Sequence, residues 1–203
     1  MLEPLKIGVL ASGEGTTLQA VLDACACGAL GAVVTLVISN NSGSGALRRA
    51  VAAGVSTRHL SSKTHPHAAD LDASVCAALT DAHVQLVLLA GYMKKLGPRT
   101  LQTFARRIIN THPALLPKFG GLGMYGMNVH RAVITSGERQ SGATVHLVEP
   151  EYDTGPVLAQ CVVDVHPEDT AESLAERVQT GERTLLVDVL REIARGARPL
   201  PLH

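Results

Sequence analysis

The sequence predicts a doubly wound α/β domain on a mostly parallel, Rossmann-like sheet with an antiparallel C-terminal extension, and three observations carry that expectation. Short aliphatic runs without alternation recur at 6–11, 33–39 and 84–91, as expected of parallel strands covered on both faces. Helix-like stretches separate them, which gives the order βαβαβ. Two further runs, GATVHLVEP and GPVLAQCVVDV, flank the turn EYDTG; alternation and turn chemistry there point to an antiparallel pair.

The first run, KIGVLA, feeds the turn ASGEG and then a helix, TTLQAVLDACACG, stopped by Gly28 where a helix C-cap favours glycine. VVTLVIS is the second strand, followed by the helix SGALRRAVAAG, ended by Gly54 in the same way. AADLDASVCAALTDA is a third helix and VQLVLLAG a third strand. The helix PRTLQTFARR, with Pro98 suited to its first turn, leads into the strand IIN. Asn110 and His112 therefore lie at a strand's carboxyl end, and Pro113 keeps His112 out of helical geometry. After a glycine-rich loop at 120–128 come a short helix, VHRAVITSG, the antiparallel pair, and a long amphipathic helix, not necessarily continuous, closed by Gly196. The tail ARPLPLH reads as frayed. A chain of 203 residues without repeats or linkers reads as a single domain, 1–203.

Lys plus Arg and Asp plus Glu both number 18, so the formal net charge is zero. No global field attracts nucleic acid or an anionic membrane, and an anionic ligand must be held locally. Cys25, Cys27, Cys76 and Cys161 fit neither a zinc spacing nor a disulfide scaffold and read as thiols of a reducing cytosol. With no uncharged apolar span of membrane length and no leader-like start, the expectation is a soluble, cytoplasmic protein.

GVLASGEGTTLQ is a strand, a Ser/Gly turn and a helix start, which aims backbone N–H groups and the positive end of a helix dipole at one point. That is an anion seat, unless it is only a capped strand-to-helix turn. Leu18 stands where a dinucleotide fingerprint wants its third glycine, and Asn40 and Asn41 stand where an acidic ribose ligand is expected; a nicotinamide cofactor is therefore disfavoured. His112, His130 and His146 lack helical i, i+4 spacing and thiol partners, so no metal is expected. Ser12 is not framed as a nucleophile elbow. There remain an amide, Asn110, an imidazole, His112, and a turn carboxylate, Asp153. An amide can stabilise an oxyanion, an imidazole can shuttle a proton, and a carboxylate can fix the imidazole's charge and tautomer. Together they suit acyl transfer without a covalent enzyme intermediate; each taken alone is an ordinary structural residue.

On four segments the chain resembles the phosphoribosylglycinamide formyltransferases, the folate-dependent enzymes of purine synthesis: SGEGTTLQAVLDA the phosphate loop, LVLLAGYMKKL the folate strand and loop, INTHPALLP the catalytic signature, and GATVHLVEPEYDTGPVLAQ the aspartate segment. The segments stand in family order over nearly the whole chain. The Asn-x-His-Pro signature belongs to folate-dependent formyltransferases as a group, and the phosphate loop with RVQTGE narrows the resemblance to the glycinamide ribonucleotide enzymes. What the resemblance implies is the formyltransferase fold, with a phosphate-binding half at 1–100 and a catalytic and folate-binding half at 101–203. It implies formyl transfer from 10-formyltetrahydrofolate to glycinamide ribonucleotide, without metal, by Asn110, His112 and Asp153. It places the substrate phosphate on Gly15, Thr16 and Thr17 and the ribose on Gln179 and Glu182. The folate pocket falls to Met93, Lys94, Lys95 and Leu96, to Asn110, and to Glu149, Pro150, Glu151, Tyr152 and Asp153. A cis Leu116–Pro117 bond, small-molecule substrates only, and a monomer or homodimer are implied as well. Two positions depart from the family pattern: Thr17 stands for the common Asn, and Ala68 where some members have a basic folate contact.

Two relatives within the superfamily are alternatives, a methionyl-tRNA formyltransferase and a formyltetrahydrofolate hydrolase, but each carries a further domain. A phosphosugar-binding module without catalysis is the alternative of another class. It gives no reason for Asn110, His112 and Asp153 to meet.

Overall fold

The computed structural model describes residues 3–202; the reading of the chain's first two residues and of His203 lies outside them. Seven strands form one sheet in the order β3-β2-β1-β4-β5-β6-β7. The chain divides into two compact units, residues 1–109 with 190–203, and residues 110–189.

The first unit is the βαβ part. Strand β1 (Leu5–Leu10) pairs in parallel with β2 (Ala32–Ser39) on one side and β4 (Leu86–Leu89) on the other. Their apolar residues are buried almost without interruption, which is why these runs show no alternation. Helices α1 (Thr16–Ala26) and α2 (Gly45–Ala52) end as expected, with Gly28 and Gly54 at φ 73° and 71°. The sequence reading missed β3 (Ser56–His59), which pairs in parallel with β2 at the edge of the sheet. Its residues, STRH, are polar and only half covered, so they carry no hydrophobic signal.

Helix α3 (Ala68–Asp81) supplies Asp72, whose Oδ2 accepts from Arg99 N at 2.7 Å and whose Oδ1 accepts from Thr100 N at 3.0 Å. A residue of one helix thus caps the next, α4 (Pro98–Thr103). A Cβ on Gly97 would stand 2.2 Å from the Asp72 carboxyl carbon, so glycine is required there. Helix α4 stops at Thr103, short of the expected length. Residues 197–202 are not frayed. Leu202 is 2% exposed, its N–H donates to Arg106 O at 2.9 Å and its carbonyl accepts from Arg106 Nε; one buried leucine and a pair of hydrogen bonds outweigh the polar, proline-rich look of the segment.

The second unit begins inside β5 (Ile108–His112) and continues through α5 (Met127–Ser136), β6 (Gln140–Leu147) and β7 (Val157–Asp164). β6 and β7 are antiparallel, as the alternation predicts. Helix α6 (Ala171–Ala194) is continuous and opens on a reciprocal cap: Thr170 N donates to Ser173 Oγ, and Ser173 N to Thr170 Oγ1. Leu174 and Val178 of α6 pack with Val133 of α5 and Ala143 of β6 to make this unit's core. The Leu116–Pro117 bond is cis. No helix among the described residues is long and apolar enough to cross a membrane.

Candidate active site

The second unit gathers four side chains from three segments. Asn110 and His112 are alternate residues of β5 and share a face. His146 comes from β6, and Asp153 from the turn between β6 and β7, where it adopts φ 57°, a conformation that Asp and Asn tolerate better than other side-chain-bearing residues. His112 Nδ1 lies 3.5 Å from Asp153 Oδ2, with side-chain exposures of 4% and 11%. His112 Nε2 donates to Phe119 O at 2.8 Å. Since Nε2 holds its hydrogen for that carbonyl, Nδ1 is the basic nitrogen of the neutral ring, and it faces a carboxylate.

His146 Nδ1 donates to Leu147 O at 2.8 Å, which leaves Nε2 to accept from Asn110 Nδ2 at 3.1 Å. An amide nitrogen carries two hydrogens. One anchors Asn110 to His146; the other is not needed for that bond. His146 Nε2 also lies 3.5 Å from Asp153 Oδ1, and Gly121 N donates to Asp153 Oδ2 at 2.8 Å. His146 is the member that sequence reasoning missed. It weighed this histidine only as a metal ligand, although TVHLV does set His146 on the face of Thr144, toward the interior.

The electrostatics follow from burial and neighbours. Burial pushes the His112 pKa down; the Asp153 carboxylate and the Phe119 carbonyl pull it up and His146 pushes down again, with a net value below that of ordinary histidine. Burial opposes the charge on Asp153, but hydrogen bonding at the carboxylate, the Gly121 N–H included, and the nearby His112 prevail, so its carboxyl titrates below the usual aspartate value. His130, on α5, is buried with its Nδ1 unpartnered, and burial and His112 lower its pKa. Among the described residues no group of three His, Cys, Asp or Glu is arranged to hold a metal.

Of the ribose candidates, Gln179 is exposed and Glu182 buried on α6, and Glu182 Oε1 accepts from Thr111 Oγ1 at 2.9 Å. Glu149, Pro150, Glu151 and Tyr152 form an exposed stretch leading to Asp153.

In the first unit, Gly15 stands before α1 at φ 73°; as a glycine it supplies no capping side chain to the first turn, which begins at Thr16. A Cβ on Gly15 would come within 2.6 Å of Ala46 Cα. Glu14 beside it is met by Arg48, 3.5 Å away. Ser12 ties three strand ends together: its Oγ donates to Asn40 Oδ1 at 2.5 Å and accepts from Met93 N at 2.8 Å, and its N–H reaches Gly91 O at 3.1 Å. Lys94, Lys95 and Leu96 line a cavity of about 440 Å³ with Tyr92, Lys63 and Ala68.

A family model described as formyl transferase matches residues 5–190. The chain belongs to the formyl transferase family. It is 40% identical over 189 residues to the chloroplastic phosphoribosylglycinamide formyltransferase of Arabidopsis thaliana, covering 93% of this chain and 65% of that one. It thus spans just under two thirds of the plant relative's length. The phosphoribosylglycinamide formyltransferase of Haemophilus influenzae is 37% identical over 191 residues, covering 94% of this chain and 88% of the relative. In structure the chain is similar to glycinamide ribonucleotide transformylase 1 of Symbiobacterium toebii, with a TM-score of 0.90 and 37% identity over 97% of this chain and 90% of that one. The mixed, mostly parallel sheet with antiparallel C-terminal strands is the formyltransferase fold.

Proposed function

We propose that the chain transfers a formyl group from 10-formyltetrahydrofolate to the amine of glycinamide ribonucleotide, giving formylglycinamide ribonucleotide in purine synthesis. The observation that carries this reading is the Asn110 amide, held by His146 through one N–H and left with a second, beside a buried His112–Asp153 pair. An oriented donor next to a buried base is what acyl transfer to an amine requires. The names of the relatives in Haemophilus influenzae and Symbiobacterium toebii support the choice of substrate.

In this reading the substrate amine attacks the formyl carbon, a carbon–nitrogen bond forms, and the carbonyl oxygen becomes an oxyanion that Asn110 receives with its second N–H. His112 Nδ1 takes up the proton that the amine sheds. The imidazolium so formed is stabilised by the Asp153 carboxylate, 3.5 Å from its Nδ1. Collapse breaks the bond to the folate nitrogen, to which His112 returns its proton. Atoms and charge balance without a metal or a nucleotide triphosphate. A His112 pKa below the ordinary value keeps the ring neutral, hence ready to accept, at neutral pH.

Gly15, Thr16 and Thr17 hold the substrate phosphate at the start of α1, and Gln179 and Glu182 hold the ribose. Met93, Lys94, Lys95 and Leu96 are assigned to folate binding, as are Asn110 and the stretch from Glu149 to Asp153. Residues 1–203 act as one formyltransferase domain on small-molecule substrates, as a monomer or homodimer in the cytosol. The test is formyl transfer by purified, chelator-treated protein from 10-formyltetrahydrofolate to glycinamide ribonucleotide, read as tetrahydrofolate formed. Formate release that does not need the ribonucleotide, or transfer only to methionyl-tRNA, would overturn the reading.

A further inference from the structure

The Asn-x-His-Pro signature leaves residue 111 open, and this chain fills it with a hydroxyl. Alternation along β5 turns Thr111 to the face opposite Asn110 and His112. There its Oγ1 donates to Glu182 Oε1 at 2.9 Å, and both residues are only 8% exposed. Glu182 is brought to the sheet by a close helix approach: a Cβ on its neighbour Gly181 would already stand 3.0 Å from Cys161 Sγ on β7. A carboxylate buried to this degree is tolerated where donors satisfy it, and each donor also fixes its orientation. The Thr111 hydroxyl, two bonds from the backbone of the strand that carries Asn110 and His112, is short and stiff at χ1. It is therefore a rigid rest for a long glutamate side chain.

We infer that Thr111 is a positioning residue for substrate recognition: its hydroxyl sets the Glu182 carboxylate to receive the vicinal hydroxyls of a ribose, and so fixes the sugar relative to the catalytic strand. This rests on the assignment of Glu182 to the ribose made above. Ribose hydroxyls are donors, a carboxylate accepts two at once, and the carboxylate must be aimed before binding for its full effect. The role is one of binding, so its signature falls on the ribonucleotide alone.

The test compares Thr111→Val, which keeps the branched shape and removes the donor, with Thr111→Ser, which keeps the donor, and with Glu182→Gln. Thr111→Val should raise KM for glycinamide ribonucleotide roughly tenfold, as for loss of a hydrogen bond to a charged group. KM for the folate and kcat should stay within about twofold, and Thr111→Ser should restore the ribonucleotide KM to near its original value. Thr111→Cys, similar in volume and a weak donor, gives the same readout if the valine variant does not fold. If Glu182→Gln raises the ribonucleotide KM and Thr111→Val and Thr111→Cys do not, the inference is wrong and the ribose assignment stands. If Glu182→Gln leaves that KM unchanged, the ribose assignment falls and takes the inference with it. If Thr111→Val raises both KM values alike or lowers kcat, the bond is a staple of the fold and the inference is overturned.

Discussion

Replacing Asp153 by Asn tests the core of the proposed chemistry, because the substitution removes a charge and little else. The turn conformation at φ 57° is one that Asn also tolerates, and the amide oxygen can still accept from Gly121 N. At the observed 3.5 Å between His112 Nδ1 and Asp153 Oδ2, two unit charges attract by about 5 kcal/mol at an effective dielectric constant of roughly 20. That is an upper limit, since the amide dipole and solvent replace part of it. A loss of about 3 to 4 kcal/mol from the transition state lowers kcat by roughly 10² to 10³. The attraction exists only when His112 is protonated, that is in the intermediate and not in the resting enzyme, so both KM values should change little. The sign of the pH effect is also set. Asp153 raises the His112 pKa against burial, so its neutralisation must move the His112 titration to still lower pH. Steady-state kinetics from pH 5 to 9, with ¹⁵N-imidazole NMR of His112, read both quantities. A variant that keeps more than about a third of wild-type kcat across neutral pH, or whose His112 titrates at higher pH, would refute the pairing.

Asn110→Ala should lower kcat by roughly 10² to 10³ with little change in melting temperature. His146→Leu should lower it less, and the double variant should be no slower than Asn110→Ala, because His146 acts through Asn110; losses that multiply would sink that account. Inorganic phosphate should compete with the ribonucleotide and not with the folate if the start of α1 is the phosphate seat, and competition with the folate would speak against it. Gly15→Ala is expected to destabilise by about 1 to 3 kcal/mol in calorimetry, from its positive φ and the contact with Ala46. The Arg177 hydrogen bonds hold the Asp169 carboxyl far below the usual carboxylate range, so this pair stabilises the folded state above about pH 4 and is lost as pH falls further. Asp169→Asn should therefore lower the melting temperature at pH 7 by an amount that shrinks below pH 4; a constant gap down to pH 2 would show that the charge is not the cause.

Features written locally were legible in the sequence. Gly28 and Gly54 announce helix ends because only a positive φ closes those turns easily, and the apolar runs of β1, β2 and β4 announce buried strands by lacking alternation. Asn110, His112 and Asp153 could be named because a stiff, proline-bound loop after a strand is an uncommon place for such groups. What stayed hidden depends on partners far along the chain. His146 looks like any interior histidine until Asn110, 36 positions earlier, is seen to bond to it. Thr111 and Glu182 are 71 positions apart, and neither residue type announces the other. Asp72 reads as a helix residue, not as the cap of a different helix. The strand β3 and the docked Leu202 were missed for one reason: each is held by backbone pairing with a neighbour, which composition does not record.

Ser12 bears on how a chain of this fold can be altered. A single hydroxyl group links the ends of β1, β2 and β4 through Ser12, Asn40 and Met93. Transplanting the loop around Met93 from a relative would therefore disturb the strand end that leads into the turn before α1 unless Ser12 kept both its partners. The three segments are a unit of exchange. A chimaera made by moving all of them together should keep this joint intact, whereas one made loop by loop would pass through intermediates in which the Ser12 hydroxyl has lost a donor or an acceptor.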